Sequence, residues 1–159
     1  MADLPNALFD VTQKLTNAIS SNSGITTVEA WKPFTTTITA EDGYTLDSVT
    51  CTMGGVEQAV VDGKINIAKV TDPVIVTAIA SIHHSVTNNL TNCINNNEAT
   101  YAIEGKPYTA TITANDGYTL DSVSCTMGGV NQTVTDGVIN ISSVTGDIVI
   151  TATATPSQP

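Results

Sequence analysis

Arginine does not occur in this chain, and the cationic side chains are five lysines against fifteen acids, a net charge of −10. A protein that holds DNA or RNA needs clustered cations to neutralise phosphates, so nucleic acid is excluded as a partner. Charged residues of both signs make up only 13% of the chain, and aromatic residues 4%. There is one tryptophan, Trp31, and three cysteines, Cys51, Cys93 and Cys125. An odd, sparse set of cysteines lacks the spacing of a disulfide framework and points to a reducing compartment. Each of these thiols is expected to act as a small buried apolar group. No run approaches the roughly 20 apolar residues of a membrane-spanning helix. Residues Met1 to Asn6 carry neither a basic stretch nor an apolar one, so no secretory signal is expected there. That leaves synthesis in the cytoplasm, or a native signal that has been removed.

Solvation falls to Thr, Ser and Asn. These residues alternate with Val, Ile and Ala, a composition that suits half-buried strands. Comparing the chain with itself organises the rest. Pro33–Ala80 lies over Pro107–Ala154 without a gap, and about two-thirds of the positions are identical. Further upstream, Phe9 lies over His84 at an offset of 75 residues. The first copy therefore carries one extra residue, most simply Trp31. Two copies are too few for a solenoid, and each is long enough to fold by itself.

Each copy reads as strands throughout. Tyr108, Ala110, Ile112 and Ala114 alternate with threonines, the period of a strand with one buried face. Asn115-Asp116-Gly117 turns the chain. Val123, Cys125 and Met127 share the next inward face. Gly128-Gly129 and Asp136-Gly137 mark tight hairpins. Ile148, Ile150, Ala152 and Ala154 form the closing strand, and Val86 and Leu90 mark the opening one. The first copy repeats the pattern at Val11, Leu15, Ile38, Val49, Ile65, Val74 and Val76. Six or seven short strands per copy, with frequent turns, predict a sandwich or barrel. A helical turn within Leu4–Leu15 is the one competing local reading. The expected boundaries are an N-terminal arm over 1–8, a first domain over 9–80, a linker over 81–83, a second domain over 84–155 and a tail over 156–159.

Candidate chemistry is thin. His83-His84 would need further metal ligands and has none at suitable spacing, so the pair reads as junction residues. Asp42 with Asp47, and Asp116 with Asp121, flank the same turn in both copies, and turn chemistry explains them better than hydrolysis. Lys64 beside Asn66 is the only material for an isopeptide bond, and Val138 replaces the lysine in the second copy. No nucleophile elbow, phosphate loop or zinc-protease motif occurs. No catalytic, cofactor-binding or metal-binding residue is therefore expected. The candidates for partner contact are Trp31, whose ring could instead cover its own domain, and Leu4 and Pro5 in the arm outside the repeat.

Certain residues carry a resemblance: Asn89-Leu90-Thr91-Asn92, Glu104-Gly105, Asp116-Gly117-Tyr118-Thr119-Leu120, Met127-Gly128-Gly129 and Val144-Thr145-Gly146-Asp147. With these the chain resembles the immunoglobulin-like repeat modules of bacterial and phage surface proteins. The first copy departs at Ala30 (where the pattern has Gly), Phe34 (Tyr) and Asp72-Pro73 (Gly-Asp). The resemblance implies an all-β fold of two tandem immunoglobulin-like β-sandwich domains. It also implies a non-enzymatic accessory protein of a phage virion, as a capsid decoration, head fibre or tail-associated protein. Such a protein would be assembled in the host cytoplasm and displayed on the virion surface. Its partners would be capsid or tail proteins, with weak adhesion to host-surface or mucin glycans and no membrane contact. A bacterial cell-surface adhesin or spacer, and the accessory carbohydrate-binding domains of an enzyme, are the alternatives.

Overall fold

The computed structural model describes residues 7–158. The chain divides into two compact units, Met1–Ser81 and Ile82–Pro159. Within the described residues each unit is all-β and contains nine strands. Unit 1 holds β1 (Leu8–Thr16), β2 (Ala18–Ser20), β3 (Thr27–Glu29), β4 (Phe34–Ala40), β5 (Thr45–Met53), β6 (Val56–Gln58), β7 (Val60–Val61), β8 (Lys64–Ile67) and β9 (Val74–Ser81). Unit 2 holds β10 (His83–Thr91), β11 (Cys93–Asn95), β12 (Tyr101–Ile103), β13 (Tyr108–Ala114), β14 (Tyr118–Met127), β15 (Val130–Gln132), β16 (Val134–Thr135), β17 (Val138–Ile141) and β18 (Ile148–Pro156).

In each unit a five-stranded sheet faces a four-stranded one. The order is β3-β1-β9-β5-β6 against β2-β4-β8-β7 in unit 1, and β12-β10-β18-β14-β15 against β11-β13-β17-β16 in unit 2. Of the sandwich or barrel that the strand pattern predicts, a sandwich forms in each unit, as the resemblance implies. The inward sets are those of the alternation. Tyr108, Ala110 and Ile112 are buried, as are Ile148, Ile150, Ala152 and Ala154. Each unit has its own core: Phe34, Ile38, Ile65, Val74 and Val76 in unit 1, and Ile112, Ile139, Ile148 and Ile150 in unit 2. Full burial of one such side chain is worth about 1.5–3 kcal/mol relative to exposure. Gly128-Gly129 closes a two-residue hairpin in which Met127 faces Val130.

Nine strands form where six or seven were expected, because long strands break as they cross between sheets. The opening strand β10 pairs with β18 in parallel and then stops at Asn92. Asn92 takes φ +56, and the chain continues in the opposite sheet as β11, paired with β13. Its side-chain Nδ2 donates to the Ala154 carbonyl at 3.2 Å, and its own carbonyl accepts from the Asn115 N–H at 2.9 Å. Asn17 does the same in unit 1, with φ +52 and an Nδ2 bond to the Ala80 carbonyl at 3.1 Å. Asparagine tolerates the left-handed region better than most L residues and here supplies a donor as well. Asn92→Ala is therefore expected to destabilise unit 2 by about 1–2 kcal/mol. Asn92→Gly should cost less, since it keeps the backbone conformation, and chemical denaturation of the two variants checks the order.

The helical reading of Leu4–Leu15 does not hold where the structure describes it, because β1 begins at Leu8. Ser81 closes β9 and His83 opens β10, which leaves Ile82 alone between the strands of the two units. Pro156 belongs to β18, opposite Tyr118. Asp121 sits at a bulge between Leu120 and Ser122, and its Oδ1 accepts from the Thr155 hydroxyl at 2.9 Å. Asp47 occupies the matching bulge in unit 1 and accepts from the Ser81 hydroxyl at 2.7 Å. These carboxylates hold a neighbouring strand by a side-chain hydroxyl, a different use from the local backbone bonds expected of turn aspartates. The extra bulge residue also turns Leu120 and Val123, three apart, towards the same core.

Candidate functional site: the entry pole of each unit

The chain enters each sandwich at one pole, and the two copies are built differently there. Their common frame is set by backbone hydrogen bonds. The Ala30 N–H donates to the Ala7 carbonyl at 2.7 Å, as Glu104 does to Ile82 at 2.9 Å. The Trp31 N–H donates to Val70 at 2.8 Å, as Gly105 does to Val144 at 2.8 Å. The Lys32 N–H donates to Glu29, and Lys106 to Ile103, both at 3.1 Å. Trp31 has φ +66 and Gly105 φ +74.

Trp31 is therefore not the extra residue of the first copy; it stands in the place of Gly105, and Ala30 answers Glu104. The extra residue lies in the loop before β3. Asn22 donates to the Thr35 carbonyl as Asn97 does to Thr109, and Val11 donates to Thr26 as Val86 does to Thr100. Between those fixed points unit 1 has Ser23, Gly24 and Ile25, where unit 2 has only Glu98 and Ala99. Tryptophan in a glycine's position is what made it look like an insertion.

In unit 2 the pole is closed by polar groups. His84 Nε2 lies 2.8 Å from Glu104 Oε2, and its Nδ1 lies 3.9 Å from Asp147 Oδ1. Asp147 also accepts from the Ser85 N–H at 2.8 Å. That backbone bond, chiefly, holds its carboxyl below the usual range. His83 points the other way and stacks on Tyr101, with centroids 4.2 Å apart and planes 3° from parallel. The two histidines thus belong to strand β10, and they face opposite sides, as neighbours on a strand must.

In unit 1 five of the pole's positions become apolar, while Ser85 becomes Asp10, Tyr101 becomes Thr27 and Ile103 becomes Glu29. His83 becomes Leu8, His84 becomes Phe9, Glu104 becomes Ala30, Gly105 becomes Trp31 and Asp147 becomes Pro73. The positions of His84, Glu104 and Asp147 meet in unit 2, so Phe9, Ala30 and Pro73 gather at the same point of the repeated frame. Leu8 is 62% exposed and Trp31 53%. Phe9 packs against the core, and Ala30 is half-buried. The departures at Ala30 and Asp72-Pro73 and the lone Trp31 are visible in the sequence; that they belong to one pole follows from the backbone pairing. Of the other candidates for partner contact, Leu4 and Pro5 lie outside the described residues.

Elsewhere the described residues offer little chemistry. No group of three or more His, Cys, Asp or Glu among them could hold a metal ion, and no helix among them is long and apolar enough to cross a membrane. Cys51, Cys93 and Cys125 are free and buried. Burial pushes all three thiols up, and the nearby Asp121 carboxylate adds to this at Cys93. A thiol-labelling reagent is expected to leave the native protein unmodified at pH 7 and to modify all three cysteines after denaturation; mass spectrometry of the intact protein reads both results. A shallow groove in unit 2 is lined by Asn97, Glu98, Tyr101, Lys106 and Tyr108. Tyr101 is 50% exposed at its edge. No family model, no curated protein and no solved structure matches the chain.

Proposed function

We propose that the chain is a non-enzymatic structural accessory protein displayed on the surface of a phage virion, in the manner of a capsid decoration, head fibre or tail-associated protein. The observation that carries this reading is the pairing of two self-contained sandwiches with three free, buried thiols. Stable thiols in a small display module fit assembly in a reducing cytoplasm followed by release on lysis. The immunoglobulin-like resemblance of the repeat supports the same reading, as does a surface solvated by Thr, Ser and Asn. Weak adhesion to host-surface or mucin glycans has its support in the groove beside Tyr101, where a half-exposed ring adjoins Asn97, Glu98 and Lys106. Many copies on one particle would convert weak contacts into avidity.

Quantitative mass spectrometry of purified particles tests the reading. Many copies per particle are expected, with no turnover of peptide or glycan substrates. A protein missing from particles and recovered from host cell envelopes would transfer the role to a bacterial surface adhesin or spacer.

A further inference from the structure

We infer that the entry pole of unit 1 is a docking face that seats Trp31 in an apolar pocket with a basic rim on another protein of the particle. The naming of the particle rests on the proposed function; the docking face itself rests on the structure. Three observations carry it. First, the apolar replacements meet at one pole. Leu8, Phe9, Ala30, Trp31 and Pro73 replace His83, His84, Glu104, Gly105 and Asp147, four of the five in the stretch before Pro33, where the copies differ more than they do over Pro33–Ala80. Second, Trp31 holds a left-handed backbone conformation, φ +66, which the other copy gives to glycine. L residues are strained there. A Cβ at Gly105 would meet nothing within 4 Å, so the frame leaves a side chain room at this position without needing one. Third, the ring stays about half exposed, so its burial does little to offset that strain. A strained, half-exposed Trp is the residue type most enriched among interface anchors.

The occupant follows from charge. Among the described residues, Asp10, Glu29 and Asp72 are exposed near the pole against Lys32 and Lys69, on a chain of net charge −10, so a basic rim is complementary. A second copy of the chain fits poorly, because each copy carries −10.

The test uses the full-length protein and particles from which its gene has been deleted. Trp31 is the only tryptophan of the chain, so the emission of the mixture less that of the particles alone reports on this site. Wild type is expected to bind the particles with a blue-shifted emission and to bind less well as salt rises. Trp31→Gly is expected to melt within about 5 °C of wild type and to bind at least ten-fold more weakly. Val130→Thr, at an exposed site of unit 2, should bind as wild type does. If wild type and Trp31→Gly bind alike, the docking face is wrong and the virion reading stands. If wild type does not bind the particles, the virion reading fails and the named occupant fails with it. A larger fall in the melting temperature of Trp31→Gly makes the residue structural and overturns the proposal. An emission shift with mucin glycans alone, or with rising concentration of the protein alone, overturns it in favour of a sugar platform or of self-association.

Discussion

Gly137→Ala is expected to lower the melting temperature of unit 2 by roughly 15 °C or more, through a loss of about 3 kcal/mol. Gly137 has φ +77, and a Cβ built on it would stand 2.5 Å from the Ile112 carbonyl oxygen. That carbonyl cannot easily retreat. The Ile112 N–H donates to the Gly137 carbonyl at 2.9 Å, and Ile112 itself is 1% exposed in the core. The left-handed conformation alone costs an alanine about 1 kcal/mol; the remainder is the movement of β13 away from the hairpin of β16 and β17. Gly117→Ala isolates the first contribution, since Gly117 has φ +82 and open space where its Cβ would stand. It should cost only about 1 kcal/mol. Unit 1 repeats the arrangement at Gly63, where an added Cβ would collide with the Ile38 carbonyl oxygen, so Gly63→Ala should act on that unit in the same way. Scanning calorimetry that finds the same cost for Gly117→Ala and Gly137→Ala would contradict the close approach.

Ile150→Ala is the second large expected effect, a loss of about 2–5 kcal/mol confined to the unfolding of unit 2. Ile150 lies on β18, opposite Asn88 on one side and Cys125 on the other, and is fully buried. Its removal leaves a void against Ile139, Ile148 and Ile112, members of the same core. The neighbours are strand residues fixed by hydrogen bonds on both sides, so the cavity collapses only partly. Val76 is the matching residue of unit 1 and equally buried. Val76→Ala should cost less, because fewer carbon atoms are removed, and should act on the other transition. Denaturation followed by probes in each unit separates the two. Loss of both units together in either variant would show that they unfold as one body, against the division into two separate cores.

Much of the fold was legible in the sequence because its signals are local. Thr109, Thr111 and Thr113 between Tyr108, Ala110 and Ile112 mark a two-sided strand, and Asp136-Gly137 marks a hairpin, whatever lies around them. Pairing across the sandwich is not local. Nothing near Val86 indicates that it will lie beside Ile148 in parallel, because that choice depends on the whole unit being closed. The bulge at Asp121 was hidden because its carboxylate is used by Thr155, thirty-four residues away. No local signal sets Asn92 apart from its neighbours; its left-handed φ and its bond to Ala154 show it as the point where the opening strand changes sheets. The extra residue of the first copy was misplaced for a related reason. Trp31 beside Gly105 is chemically so unlike that alignment treats it as surplus, whereas the backbone, which decides, places both at the same hydrogen bond.

The most direct measurement of the proposed role is cryo-electron microscopy of wild-type particles beside particles lacking the gene. The account predicts difference density for two small sandwiches on the virion surface, at many equivalent sites, restored when purified protein is added back. Identical maps, with the protein found on host envelopes, would contradict it.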